Sequence, residues 1–529
     1  MRHFLACFFL MGATNLFSQE VNPNPWVMSQ DTTARVTYRN PIIPGFYSDP
    51  SVCRVGDDYY LITSTFEFFP GVPVFHSKDL VNWEQIGHCI HRKEQIPKDL
   101  NIFAATLRYH EGTFYMITTN VASKGNFFVT ATDPAGPWSN PKWIDVGGID
   151  PDLFFDDDGR AYVISSTFEL TEIDLETGSL KGEKRKVWNG NGGRYPEAPH
   201  IYKKDGFYYL MAAEGGTEEA HSVTIARSNT IWGPYINNPA NPIVTHTTVA
   251  GMGKPIQGVG HGDLVQAHDD SWWMVLHGYR SVADYPPHHT LGRETCLVPV
   301  SWPEGSWPVV NKNGSVSVDM TQPTLPQQAF APKPARDLFN QDKLGLEWNY
   351  IQPPHEKNFD LDADKGKLSL KGSKLRIGDK GNPTFVGRRL TDIKFSATTR
   401  LQFDPKNDNE EAGMTLVNNG SHFDLMVATQ KGQKYLVVKL QFGQTIYRSE
   451  VNLKPGPVDL RIEGTGPEFI FSYAQNGEGF KIIERADARF LSTETVGWFT
   501  GVYVGLYATG NGSAAKAAAY YDWFEYMRK

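Results

Sequence analysis

Five times along the chain a short polar opening leads, ten or eleven residues later, to a paired aromatic or Ala-Tyr strand core. Asp49 leads to Tyr59-Tyr60, Ala104 to Phe114-Tyr115 and Asp150 to Ala161-Tyr162. Glu197 then leads to Tyr208-Tyr209, and His261 to Trp272-Trp273. The anchors Tyr60, Tyr115, Tyr162, Tyr209 and Trp273 stand 55, 47, 47 and 64 residues apart. A repeat of this length, built of short strands, has the size of a propeller blade and buries its faces only against neighbouring copies. The expectation is a five-bladed β-propeller over residues 37–320, with the five opening residues gathered round one axis.

The text between the anchors supports strands rather than helices. Runs such as Tyr59-Tyr60-Leu61-Ile62-Thr63-Ser64 and Phe207-Tyr208-Tyr209-Leu210-Met211-Ala212 are short, apolar and bounded by Gly, Pro, Asn and Asp. Glu111-Gly112, Asp205-Gly206 and Asp157-Asp158-Gly159 sit where hairpin turns belong. The Pro- and Gln-rich stretch 321–336 reads as a linker. Beyond it, residues 337–529 carry further strand-like runs, among them Phe423-Asp424-Leu425-Met426-Val427 and Phe469-Ile470-Phe471-Ser472-Tyr473, and suggest a β-sandwich. That part holds no tight acid, His or Cys cluster, so it reads as an accessory domain packed on the propeller, with carbohydrate binding as the alternative.

A length of 529 residues calls for two or three domains, and 49 Gly with 34 Pro suit a turn-rich all-β protein. The net charge of −8 is spread out, with no basic stripe to neutralise phosphates, which argues against nucleic acid as a partner. The N-terminus has a short positive region, an apolar run over residues 4–17 and a small-residue exit. It reads as a cleaved secretory signal over residues 1–19, hence a secreted or periplasmic protein, and the run is too short for a membrane span. Residues 20–36 form a polar leader. Cys7 lies too close to the start for a lipoprotein box, and Cys53, Cys89 and Cys296 fit neither a disulfide framework nor a zinc pattern. They read as small buried hydrophobes.

The chemistry lies in the opening residues. Asp49, Asp150 and Glu197, in the settings Ser48-Asp49-Pro50-Ser51, Ile149-Asp150-Pro151-Asp152 and Pro196-Glu197-Ala198-Pro199, would converge on one funnel. Each alone has an ordinary reading as a turn-capping or solvated loop residue. Together they supply what cleavage of a glycosidic bond requires: one carboxylic acid, one carboxylate, and a neighbouring charge that raises the acid's pKa.

These residues resemble glycoside hydrolase family 43. The resemblance rests on residues 41–51 (PIIPGFYSDPS), 75–83 (FHSKDLVNW), 149–154 (IDPDLF) and 197–202 (EAPHIY), followed by Gly260-His261-Gly262-Asp263 and Leu291-Gly292-Arg293-Glu294-Thr295. The second domain resembles the concanavalin-like β-sandwich of the β-xylosidase and arabinofuranosidase branch. The resemblance implies an inverting mechanism in which Asp49 is the general base, Glu197 the general acid and Asp150 the residue that raises and orients the acid. It implies that Arg293 lines the terminal sugar site, against an ordinary inter-blade salt bridge with Glu294 or another acid. His261 is a candidate for holding a central cation such as calcium, or the water network of the funnel, against a satisfied core histidine; no cofactor is required. Phe66 and Phe68, in the loop 66–71, are candidates for an apolar wall against the sugar, with blade packing as the alternative. Trp83 and Trp138 read as packing residues.

The chain departs from the family pattern at Phe103-Ala104-Ala105-Thr106, where relatives carry Trp-Ala-Pro, at Tyr47-Ser48 in place of Asn-Pro, and at Phe68 in place of Trp. These departures lean towards an exo-acting α-L-arabinofuranosidase acting on plant cell-wall hemicellulose. The alternatives are a β-D-xylosidase, a dual-activity enzyme or a non-catalytic sugar-binding propeller. The resemblance further implies that the second domain helps to close the pocket.

Overall fold

The computed structural model describes residues 37–282, 287–321 and 324–529. The expected signal, leader and Cys7 lie outside the described residues. From residue 51 onward the chain lays down one sheet after another, each adding its strands outward from an innermost first strand. The first sheet comprises Ser51–Val55, Asp58–Ile62, Gly71–Ser77 and Glu84–Ile90. The second runs from Ile102–His110 to Lys142–Trp143, and the third from Asp152–Phe155 to Leu180–Lys186. The fourth starts with Glu197–Lys204 and the fifth with Ile256–Gln266. Each first strand touches the first strand of the next sheet, and the fifth returns to touch the first. That closed ring is the five-bladed propeller.

The anchors occupy one structural position. Tyr60 pairs with Cys53, Tyr115 with Arg108, Tyr162 with Phe154, Tyr209 with Tyr202 and Trp273 with Val265, always second strand against first. Tyr162, Tyr209 and Trp273 are fully buried between blades. In blades one and two the preceding ring, Tyr59 or Phe114, takes the deeper place. The turns follow their residues: Glu111-Gly112 and Asp205-Gly206 both place two consecutive residues at positive φ, the geometry that matches strand twist in a two-residue hairpin. The ring is fastened by Thr37–Arg39 pairing with Asp319–Thr321, and by Asn40, whose amide exchanges hydrogen bonds with the Leu297 backbone at 2.8 and 2.9 Å.

Residues of the expected linker run along blade one: Leu325 is buried, and the Gln328 N–H donates to Asp79 at 2.9 Å. The chain then enters two packed sheets, one of eight strands starting at Arg336–Asp337 and one of six starting at Thr384–Arg389. Val458–Thr465 alternates buried and half-buried residues, as expected of a strand with one face on a core. The sandwich is seamed to the propeller. Phe68–Phe69 forms a two-stranded sheet with Tyr350–Ile351. Phe46, Phe66 and Phe68 share a buried cluster with Phe385, Met426, Tyr503 and Tyr507 of the sandwich. Cys53, Cys89 and Cys296 are free and buried, and Trp138 is a buried packing residue. No helix among the described residues is long and apolar enough to cross a membrane.

Candidate active site

The first strand of each blade begins near the axis, and four of the five do so through the same backbone device. Asp49, Asp150 and His261 have φ of 54°, 53° and 50°, each four residues before the partner of its anchor. In blade four that position belongs to Ala198, with φ 49°, so Glu197 sits one residue upstream of the equivalence expected from the repeat. A left-handed conformation costs a residue with a side chain about 1–2 kcal/mol. Backbone hydrogen bonds hold the segments in place: Ser64 N–H to Ser48 O at 3.1 Å, and Ser166 N–H to Ile149 O at 2.9 Å. Four side chains or their neighbours are thereby turned off the strand line at one end of the axis. Ala104, the opening residue of blade two, has no such φ and adds no polar side chain.

Asp49 is nearly inaccessible and fully engaged. Arg293 Nη1 donates to Oδ1 at 2.7 Å and Nη2 to Oδ2 at 3.3 Å, while Ser48 and Ser64 hydroxyls donate to Oδ2 at 2.9 and 2.5 Å. His277 Nδ1 lies 3.0 Å from Oδ1. Burial alone would raise this carboxyl, but Arg293 and the flanking His261 and His277 outweigh it and hold it well below the usual range. Burial pushes His261 down to about 3 and His277 to about 4, so both are neutral near pH 7. Arg293 is the largest of the influences that keep Asp49 ionised. Arg293 thus makes the salt bridge expected as the alternative, with Asp49 as its acid. Glu294 pairs instead with Arg280, at 2.8 Å to each oxygen.

The other two carboxyls behave oppositely. Burial, then the charges of Glu197 and Asp49, lifts Asp150 well above the usual range. Burial, then Asp49, lifts Glu197 to about 7, with Glu218 adding to the rise and Arg293 opposing it. The site therefore holds one carboxyl kept ionised and two kept protonated towards neutrality. That is the separation of roles acid–base chemistry on an acetal needs.

Three imidazoles line the floor. His221 stacks on His277 with ring centres 5.0 Å apart, and His261 on His277 at 5.6 Å. Atoms of Asp49, His261 and His277, and of Glu197, His221 and His261, lie close enough to share an ion. Calcium takes six to eight oxygen ligands. Each group here offers one carboxylate against two nitrogens, and the Asp49 carboxylate is already neutralised by Arg293. The donor set does not fit calcium, and His261 is placed instead as a neighbour of Asp49, its Nδ1 at 3.6 Å from Oδ1.

The walls are aromatic, and the sandwich supplies part of them. Phe66 packs on Phe103 at 5.0 Å and stacks on Phe499 at 5.7 Å, and the Arg293 guanidinium lies 5.9 Å from the Phe66 ring and 5.8 Å from that of Phe499. Trp498 donates to Glu67 at 3.3 Å. Phe68 does not belong to this wall. Its ring stacks on Tyr503 at 3.7 Å inside the interdomain seam, because Phe68 lies in the strand that pairs with Tyr350–Ile351. Packing decides its place, and its assignment to the sugar pocket is corrected. The sequence reading also missed Ser48, Ser64, Thr217, His221, His277, Glu218 and Phe499. The pair Trp498-Phe499 between Gly497 and Gly501 breaks the strand alternation of the second domain, which was the one available signal.

A second polar layer lies two to four residues further along the same strands. Arg108 donates to Asp263 and Asp152, both at 2.9 Å, and His200 Nδ1 lies 3.1 Å from its Nη2. Ser51 and Tyr202 hydroxyls each donate to Asp263 at 2.6 Å. All five blades contribute to it.

Comparison with known proteins agrees with this architecture. Residues 38–308 match the family described as Glycosyl hydrolases family 43, and residues 336–527 the Beta xylosidase C-terminal Concanavalin A-like domain. A non-reducing end alpha-L-arabinofuranosidase of Bacteroides ovatus is 42% identical over 515 residues, covering 94% of this chain and 96% of that one. A xylosidase/arabinosidase of Butyrivibrio fibrisolvens is 38% identical over 520 residues, covering 92% and 99%. The solved Bacteroides ovatus structure described as Xyloglucan PUL GH43B superposes with a TM-score of 0.89 at 41% identity, covering 93% and 100%.

Proposed function

This chain belongs to glycosyl hydrolases family 43 and is a glycosidase, and from that premise we propose that it releases terminal non-reducing α-L-arabinofuranose from plant hemicellulose side chains or oligosaccharides, with inversion. The observation that carries the chemistry is the opposed titration of Asp49 and Glu197 across one buried site. Asp49, ionised by its pairing with Arg293, is assigned as the general base that takes a proton from water. Glu197, protonated up to about pH 7, is assigned as the acid that protonates the departing glycosyl oxygen. Asp150 competes with Glu197 for a proton and is assigned as the group that tunes and orients it. Arg293 and the half-buried ring of Phe499, backed by the buried Phe66, are assigned to the terminal sugar, and an enclosed end favours exo action. Hydrolysis by carboxyl groups assigns no step to a cation.

The choice of sugar rests on the full-length similarity to an arabinofuranosidase and on the departures at 47–48 and 103–106. The similarity to a xylosidase/arabinosidase favours β-D-xylosidase activity as the second reading. Initial rates on 4-nitrophenyl α-L-arabinofuranoside and β-D-xyloside, measured in parallel, decide between them. The arabinofuranoside is expected to be the better substrate by kcat/KM; a strong preference for the xyloside overturns the assignment.

A further inference from the structure

Two residues before Glu197 stands Tyr195, with 69% of its surface exposed, more than any other aromatic side chain among the described residues. Its φ is 51°, a strained setting for a bulky residue, and strain of this kind collects at functional sites. One face of the ring is backed by the Arg194 guanidinium at 5.6 Å. Arg194 is itself tied down at several points. Its Nε donates to Gly215 O at 2.7 Å, its own carbonyl accepts from Gly215 N–H at 2.8 Å, and its Nη2 pairs with Glu218. Glu218 is the residue whose charge reaches Glu197, and the adjacent Thr217 hydroxyl accepts from Arg293 at 2.9 Å. The loop behind Arg194 is fastened as well, since the buried Glu214 carboxylate accepts from the Asn191 and Gly193 N–H groups. A ring largely open to water therefore stands two residues from Glu197, on a loop whose backbone and Arg194 are fastened.

The leaving oxygen belongs to the sugar that stays behind, so whatever flanks Glu197 on the rim meets that second sugar rather than the one cleaved off. An aromatic face is the usual partner for the C–H face of a pyranose, and a pre-positioned ring binds without first losing its own freedom. We propose that Tyr195 is the stacking platform for the leaving-group sugar, a pyranose of the hemicellulose backbone or side chain. It thereby sets selectivity for what the terminal sugar is attached to. The proposal rests on the glycosidase reading above. It assigns Tyr195 to binding, with no part in the proton transfers.

The test compares substrates with and without a leaving sugar, using the full-length enzyme and its Tyr195→Ala and Tyr195→Phe variants. Arabinofuranosyl-xylotriose carries the sugar, and methyl α-L-arabinofuranoside lacks it. Tyr195→Ala should lose about tenfold in kcat/KM on the oligosaccharide, mainly through KM, and hydrolyse the methyl glycoside as the wild type does. Tyr195→Phe should keep both rates. Xylotriose, as an inhibitor of methyl glycoside hydrolysis, should bind Tyr195→Ala about tenfold more weakly than wild type. Equal losses on both substrates, or none on the oligosaccharide, overturn the platform. A wild type that cleaves methyl β-D-xyloside but not the arabinoside sinks only the choice of terminal sugar. The same comparison then runs on xylotriose against methyl β-D-xyloside, with the same expected and overturning results.

Discussion

The propeller axis carries two polar layers, one at the openings of four blades and one further along the first strands of all five, and they are built to opposite ends. In the lower layer Arg108 sits between Asp152 and Asp263, and hydroxyls of Ser51 and Tyr202 complete the shell. One guanidinium serves two carboxylates, and Asp263 is held well below the usual carboxyl range despite burial. In the upper layer three carboxyls share a single guanidinium, and two of them are pushed upward. The lower layer holds both carboxylates by direct pairing with Arg108, although Asp152 Oδ1 accepts no hydrogen bond from the described residues. The upper layer leaves like charges close together, which is destabilising in itself and useful only for proton transfer.

The difference can be broken from either side. The largest effect is expected for Glu197→Gln, which removes the acid but also relieves repulsion. Turnover of methyl α-L-arabinofuranoside, whose leaving group needs protonation, should fall about 10³-fold, with no loss in the thermal midpoint. Turnover within tenfold of wild type would remove the acid assignment. In the lower layer Arg108→Met should do the reverse. Leaving two buried carboxylates without their partner should cost about 3–5 kcal/mol of stability in denaturant titration. An unchanged midpoint would show that Arg108 is not what holds the layer together. The smallest effect sharpens the contrast by pH alone. Glu197 keeps its proton until the pH rises through about 7, whereas Asp49 stays ionised far into acid, so kcat/KM should decline on the alkaline side with an inflection near 7. Glu197→Gln, assayed on a nitrophenyl glycoside, should lack that inflection. An inflection that survives the substitution belongs to another group.

Much of the upper layer was legible because its residues open the repeat. Asp49, Asp150 and His261 take the same backbone position, and the anchors share one register, so counting along the chain found them. Glu197 was found although its place is offset by one, since the bulge in its strand between Glu197 and His200 absorbs the extra residue. His277 and His221 were not legible. His277 comes from a second strand and His221 from the residue just before a third, where a buried histidine looks like any other polar position. Phe68 was misread for a related reason. Two phenylalanines at alternate positions of one loop look alike in sequence, yet one faces Arg293 and the other pairs across to the sandwich.

By itself the sequence determined the repeat: blade length, strand order, the second β-domain and the three carboxyls, because these follow from local periodicity and turn chemistry. Only the tertiary structure decided which carboxyl is ionised. Titration depends on burial and on charges that arrive from distant strands, such as Arg293 beside Asp49. It also decided that Phe499 of the second domain stacks on Phe66 of the first, a contact across more than 400 residues that no local pattern encodes.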